Sequence, residues 1–266
     1  MPNIYYSPGD ERASRVRDLF CRIAKRYDLI NDIQSLGMHR VWKRRLIELA
    51  QITAGTRVLD VCSGTGDLAL AMWDKGADVT GIDFCAPMLE VASERSSGAA
   101  AGRHPIGFAQ ADALNLPFAD NTFDVVTVGY GLRNLASLDR GLAELLRVLR
   151  AGGRLCVLDF GKPEMALWRV CYEAYLACMV PIFGWAFAGD PAAYAYILES
   201  LKHYPAQRGI DEKLRLLGCR HTRIVNFLGG AMSLNIAESP EESSESRAET
   251  HRKPSFLTVS DGDSKG

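Results

Sequence analysis

Five short runs of β-branched and other apolar residues alternate with helical segments through the middle of the chain, and this alternation restricts the fold more than any other feature. The runs are TRVLDVC (56–62), ADVTGID (77–83), PIGFAQAD (105–112), FDVVTVG (123–129) and GRLCVLDF (153–160). Helical segments separate them at 67–75, 86–97 and 138–150. Strand–helix–strand units in series join parallel strands by right-handed crossovers, so the pattern predicts a doubly wound α/β sheet. Further along, 210–217 reads as a helix, and CRHTRIVNFLGGAMSLNIA reads as a hairpin turning at Gly229 and Gly230. The expectation is therefore a seven-stranded sheet whose last two strands form an antiparallel pair at one edge.

A chain of 266 residues can bury such a sheet with neither a disulfide nor a structural metal. Its seven cysteines form no Cys-x-x-Cys pair and no Cys/His cluster at zinc spacing, so free thiols and no metal site are expected. With 31 basic and 32 acidic residues the net charge is −1, which excludes a strong overall field for nucleic acid. The opening residues, MPNIYYSPGDERASR, lack the apolar stretch of a secretory signal, so a cytoplasmic protein is expected.

Composition divides the rest. Residues 1–50 are expected to form a helical cap. Its segment 11–50 holds ten Lys and Arg against five Asp and Glu, with Val16, Leu19, Phe20 and Ile23 at helical spacing. Residues 51–237 form the α/β domain, interrupted at 164–205 by an aromatic helical insert. The greasiest part of that insert carries Arg169 and Glu173 and is broken by Pro181 and Gly184. It falls short of the ~20 continuous apolar residues of a spanning helix. Residues 238–266 are rich in Ser, Glu and Pro and poor in large apolar side chains, the composition of a disordered acidic tail.

The loop after the first strand carries the chemistry. In VLDVCSGTGDLA (58–69) a strand runs into Gly64 and Gly66, and a helix follows from Asp67. Glycines let a ligand approach the backbone, and a helix N-terminus offers free N–H groups. Asp83 ends the next strand, where a carboxylate can take ribose hydroxyls. Asp112 and Ala113 end the third, placed to meet an adenine. GTGDLA also satisfies the dinucleotide pattern, which leaves a nicotinamide dehydrogenase open. Two features favour S-adenosylmethionine: the terminal hairpin in place of a second mononucleotide-binding half, and the run DALNLPFADNTFDVV (112–126), which resembles the stretch joining strands three and four of class I methyltransferases.

Several further blocks occur in order: YDLINDIQSLGMHRVWKR (27–44), GLRN (131–134), RVLRAGGRLCVLDFGKP (147–163), PIFG (181–184), YAYILESL (194–201) and Tyr204-Pro205. Together, over about 20–234, they resemble the UbiE/MenG-type quinone C-methyltransferases. The resemblance implies a class I methyltransferase fold, S-adenosylmethionine as cofactor and a prenylated hydroquinone as acceptor. It implies methylation of demethylmenaquinol to menaquinol, with the benzoquinol of the ubiquinone pathway or another small aromatic as alternatives. It puts Thr65, Asp83, Asp112 and Ala113 at the cofactor beside Gly64 and Gly66. The chain departs from the family pattern at Gly129, where a Ser is usual, at Asp159, where Glu is usual, and at Ser233-Leu234-Asn235, which replaces an Ala-Leu-His run.

Methylating a ring carbon requires that a neighbouring hydroxyl lose its proton, because the phenolate pushes electron density onto the ortho position. Arg133 and Asn134, just past the fourth strand, are the candidates for that step. A charged Arg133 is no base, yet it can stabilise a phenolate or orient a water. Asn134 can hold a quinol oxygen, and the pair reads equally as a loop-fixing contact. In the cap, Tyr27, Asp28 and Asn31 can fold over the cofactor as a lid. Asp28 is a candidate base or a helix N-cap, and His39 is read as part of a structural turn. Trp168, Tyr172, Tyr175 and Met179 share one helical face, followed by Phe183, Trp185 and Phe187. That stripe suits a groove for a prenyl tail, plain core or a homodimer contact. A polyprenyl quinol resides in the bilayer, so transient contact with a membrane surface is expected through the insert and the basic cap. A non-catalytic cofactor-binding scaffold is the remaining reading.

Overall fold

The β-branched runs pair into one sheet in a computed structural model that describes residues 10–97, 105–183 and 200–241. β1 (Arg57–Val61), β2 (Asp78–Asp83), β3 (Gly107–Gln110), β4 (Phe123–Gly129) and β5 (Leu149–Phe160) are parallel. β6 (Arg220–Phe227) and β7 (Met232–Glu238) form the hairpin, with β7 antiparallel to β5, and the order is β3-β2-β1-β4-β5-β7-β6. β6, not the last strand, is therefore the edge. Residues Val125 to Val128 and Leu155 to Leu158 are all buried, as both faces of a parallel sheet must be. The register sets Val61 beside both Ile82 and Val128, so the carboxyl ends of β1, β2 and β4 open at one level.

Helices cover both faces. α4 (Asp67–Trp73), α5 (Ala86–Ser97) and α6 (Leu138–Val148) are the crossovers. Ser137 caps α6 by accepting the Arg140 amide, and Leu142, Leu145 and Val148 form its buried face. After the insert helix α7 (Ala166–Phe183), α8 (Ala206–Leu216) packs Ile210 and Leu214 against the same core. Residues 184–199 of the expected insert, with Trp185 and Phe187, lie outside the described residues. No helix among the described residues is long and apolar enough to cross a membrane.

The amino-terminal region is helical: α1 (Asp10–Ile23), a 3-10 turn, α2 (Tyr27–Ser35) and α3 (Met38–Leu49). Val16, Leu19 and Ile23 are buried at the expected spacing. Trp42, Leu46 and Ile47 of α3 share a core with Leu68 and Met72 of α4, so the cap is welded to the sheet.

Two details differ from the sequence expectations. Cys21 of α1 and Cys85 after β2, 64 residues apart, stand 5.9 Å apart at Cα and are joined as a disulfide, where free thiols were expected; the other five cysteines are free. Spacing in sequence carries no sign of this contact, which the folding of α1 across the β2–α5 loop creates. Glu238, expected to open the tail, ends β7 opposite Arg154 in register, and its carboxylate lies 3.2 Å from the Arg154 guanidinium. Ser239 is buried too, its amide donating to the Gly153 carbonyl at 2.9 Å, so the expected tail does not begin there either; residues 242–266 of it lie outside the described set.

Candidate active site

Two adjoining cavities open at the carboxyl ends of the strands. The first, of about 340 Å³, lies over β1, β2 and β4 and is lined by Gly64, Asp83, Asp112, Ala113 and Asn134, with Val16 and Arg17 of the cap. The second, of about 480 Å³, lies between α2, α3 and α7 and is lined by Asn31, His39, Arg133, Phe160, Tyr172 and Met179, among others. Phe20, Tyr27 and Tyr130 line both and so form the partition between them.

The glycine loop is shaped by its backbone. Gly64 (φ 55°) and Gly66 (φ 79°) lie in the left-handed region, and a Cβ at Gly66 would stand 3.0 Å from that of Ala92. The Gly64 amide donates to Asp83 Oδ2 at 2.8 Å and the Cys85 amide to Oδ1 at 2.9 Å. Burial pushes the Asp83 carboxyl up, and the amides of Cys85 and Gly64 oppose that shift. The carboxylate is thus oriented by backbone at the rim, with lone pairs left for a diol. Asp112 Oδ1 accepts the Leu114 amide at 2.9 Å, which sets the turn that puts buried Ala113 on the cavity wall. These features fit S-adenosylmethionine: a rim carboxylate for the ribose, a turn for the adenine edge and an open glycine backbone for the amino acid part.

Thr65 and Gly66 stand one step behind that wall. The Thr65 side chain is buried and its hydroxyl donates to Asp28 Oδ1 at 2.7 Å. Arg95 of α5 reaches Asp28 at 3.0 Å, the Thr65 carbonyl at 2.9 Å and Asp67 at 2.9 Å, while Lys43 of α3 holds the other Asp67 oxygen at 2.7 Å. Asp28 is therefore a tether from the cap to the glycine loop and lines neither cavity. Burial acts to raise the Asp67 carboxyl, but the Lys43 and Arg95 cations prevail and hold it at about 2. Sequence reasoning missed Arg95 and Lys43. Their only signal was a basic residue in the last turn of α5 and another in the 27–44 block.

Arg133 does face the second cavity. Its Nη1 donates to Asp159 Oδ1 at 2.8 Å, both side chains being buried, and its guanidinium lies 4.7 Å over the Phe160 ring. Asn134 is on the first cavity, its amide 3.5 Å from the Tyr130 carbonyl. Tyr27 packs edge-on to Phe20 at 5.9 Å in the partition. His39 is buried on the second cavity with Nδ1 2.8 Å from Ser35 Oγ, and burial, then Lys43, lowers its pKa. The imidazole is accordingly neutral and joins α3 to the end of α2, with Nε2 3.6 Å from Asp32. The aromatic stripe of α7 is brought to the second cavity as a unit, Trp168, Tyr172, Tyr175 and Met179 all lining it. Asn235 is buried in β7 and donates to the Gln207 carbonyl at 2.8 Å, a packing contact, and it lines neither cavity.

A seven-stranded sheet of this order, with a carboxylate and a glycine loop at the ends of β1 and β2 that fit S-adenosylmethionine, is that of the class I S-adenosylmethionine-dependent methyltransferases. The chain matches the ubiE/COQ5 methyltransferase family over residues 9–238 and belongs to that family. It is 36% identical over 236 residues to the demethylmenaquinone methyltransferase of Desulfitobacterium hafniense, covering 87% of this chain and 92% of that protein. It is 39% identical over 239 residues to the ubiquinone/menaquinone biosynthesis C-methyltransferase UbiE of Pseudomonas fluorescens, covering 88% and 92%. In fold it resembles the crystal structure of a SAM-dependent methyltransferase from Aquifex aeolicus, with a TM-score of 0.53 and 18% identity over 74% of this chain and 88% of that one.

Proposed function

We propose that the protein methylates the ring carbon of a prenylated hydroquinone, converting demethylmenaquinol to menaquinol. The observation that carries this reading is the pairing of a nucleoside cavity with a larger, mostly apolar one across a three-residue partition. Relatives named for demethylmenaquinone and for ubiquinone/menaquinone methylation support it.

When bound, S-adenosylmethionine supplies an electrophilic methyl group. The residues of this chain do the rest. Asp83, Asp112 and the glycine loop seat the donor, and Tyr27 with Phe20 covers it. Arg133, fixed by Asp159, presents a cation to the second cavity and favours the acceptor phenolate. The α7 stripe takes the tail, and the rings of Phe20, Tyr27 and Tyr130 where the cavities meet shield the reacting atoms from water.

We infer further that the acceptor is drawn from a membrane surface. Leu36 at 88% exposure, Leu228 and Tyr175 surround the second cavity with apolar surface, and Arg40, Arg44 and Arg45 stand on the adjoining helix. Such a rim suits an interface helix more than open water.

The test is a substrate series with purified protein: prenylated demethylmenaquinol, the same ring without its tail, and a prenylated benzoquinol. The reading expects the highest kcat/KM on the first and at least about a tenfold loss without the tail, the apolar burial of a few CH₂ groups being enough for that. Preference for a non-prenylated acceptor would overturn it.

A further inference from the structure

The second cavity has polar groups in a largely apolar wall, and most already have partners. Ser35 and His39 bond to one another at 2.8 Å, Tyr172 Oη lies 3.2 Å from the Ala231 carbonyl and Tyr175 Oη lies 3.4 Å from that of Gln34. Two neutral groups do not: Tyr130 Oη and Asn31 Nδ2 are buried with no hydrogen-bond partner among the described residues. An unmet buried donor costs about 1–3 kcal/mol, so a fold that keeps two in one cavity wall invites a polar ligand there.

Tyr130 is also held with unusual firmness. It takes φ 61°, a left-handed conformation rare for an aromatic residue, between Gly129 and Gly131. Gly131 presses on the β1 loop so closely that a Cβ there would stand 2.4 Å from that of Cys62. The ring meets Phe160 edge-on at 6.3 Å on one side and lies 5.8 Å from the Lys43 ammonium. Packing therefore accounts for the ring and leaves the hydroxyl unexplained. Burial raises the Tyr130 phenol well above its usual range, so the group stays protonated and can donate.

We infer that Tyr130 Oη and the Asn31 amide are acceptor-binding groups, each donating to an oxygen of the dihydroxyaromatic ring, and that Tyr130, in the partition, serves the oxygen next to the methylated carbon. This rests on the quinol reading above and adds the residues that orient the ring. A donor to that oxygen stabilises the phenolate as charge develops and aligns the ortho carbon with the methyl group.

The test compares Tyr130→Phe and Asn31→Leu with wild-type protein, using demethylmenaquinol with a short prenyl tail. Measured are melting temperature, S-adenosylmethionine Kd, kcat, KM and the pH dependence of kcat. For Tyr130→Phe the expected result is melting equal to or above that of wild type, since an unmet buried donor is removed, unchanged cofactor affinity, a fall in kcat/KM of about 10- to 100-fold, and a rise of about one unit in the pH of half-maximal kcat. Asn31→Leu is expected to raise KM for the quinol and leave that pH unmoved. Wild-type kinetics and pH profile in Tyr130→Phe, or losses explained wholly by melting or cofactor affinity, would overturn the inference and leave the quinol reading standing. A wild-type protein inert toward the quinol would overturn both.

Discussion

The Arg133 guanidinium and the Asp159 carboxylate meet at 2.8 Å where β4 and β5 end, both nearly sealed from solvent, at 5% and 2% side-chain exposure. Asp159 also accepts the Phe160 amide at 2.8 Å, so its position is set by its own strand. Removing one member of such a pair strands a buried charge, at a cost of about 3–5 kcal/mol. Asp159→Asn is expected to lose stability on that scale in urea unfolding and to lower kcat with it. A loss below about 1 kcal/mol would show that Arg133 does not depend on this partner.

Arg95 ties Asp28, Thr65 and Asp67 together, and thereby the cap to the glycine loop. These pairs are partly exposed, each worth at most about 1 kcal/mol, so Arg95→Ala is expected to lower stability only slightly. Its larger effect is on the first cavity, whose cover the tether holds: S-adenosylmethionine Kd is expected to rise about 3- to 10-fold by calorimetry. Unchanged affinity would separate the cap from cofactor binding.

Asp60, buried in β1, accepts the Thr127 hydroxyl at 2.6 Å, and burial raises its carboxyl to about 7 despite that bond and the nearby Lys43. The folded state therefore holds a proton that the unfolded state releases near 3.8. Stability from this group is complete below about pH 4 and falls as pH rises to about 7, by about 2–4 kcal/mol. Asp60→Asn, which keeps an oxygen for Thr127, is expected to flatten unfolding free energy over that range and to be the more stable protein at pH 8. An unchanged slope would refute the assignment.

The strands and the glycine loop were legible because each is a local pattern: apolar runs, buried on both faces in β4 and the second half of β5, and glycines where the backbone turns left-handed. α5 falls on the expected 86–97 for the same reason. The α7 stripe was legible as one face, and the fold supplied what that face covers. Lys43, Arg95 and the Cys21–Cys85 contact were not, since their partners lie 24 to 67 residues away and only the packed cap brings them together. Tyr130 hid between two glycines, where its exceptional backbone angle has no sequence mark. Asn134 and Arg133, adjacent in sequence, serve different cavities because a 3-10 turn points neighbours apart.

Met179 closes the helical stripe along the second cavity. Met179→Lys places a charge against the expected path of the prenyl tail. KM for a prenylated quinol is expected to rise about tenfold or more, with little change for the tail-less ring. Equal losses on both substrates would remove the tail from that groove.

The most direct trial of the account is to follow the methyl group itself. S-adenosylmethionine carrying ¹³C at the methyl is incubated with wild-type protein and demethylmenaquinol under reducing conditions, and the product is read by NMR. The account predicts label in a methyl bonded to the quinol ring carbon, absent when the acceptor is kept oxidised. Label on a quinol oxygen, or no labelled quinol at all, would contradict it.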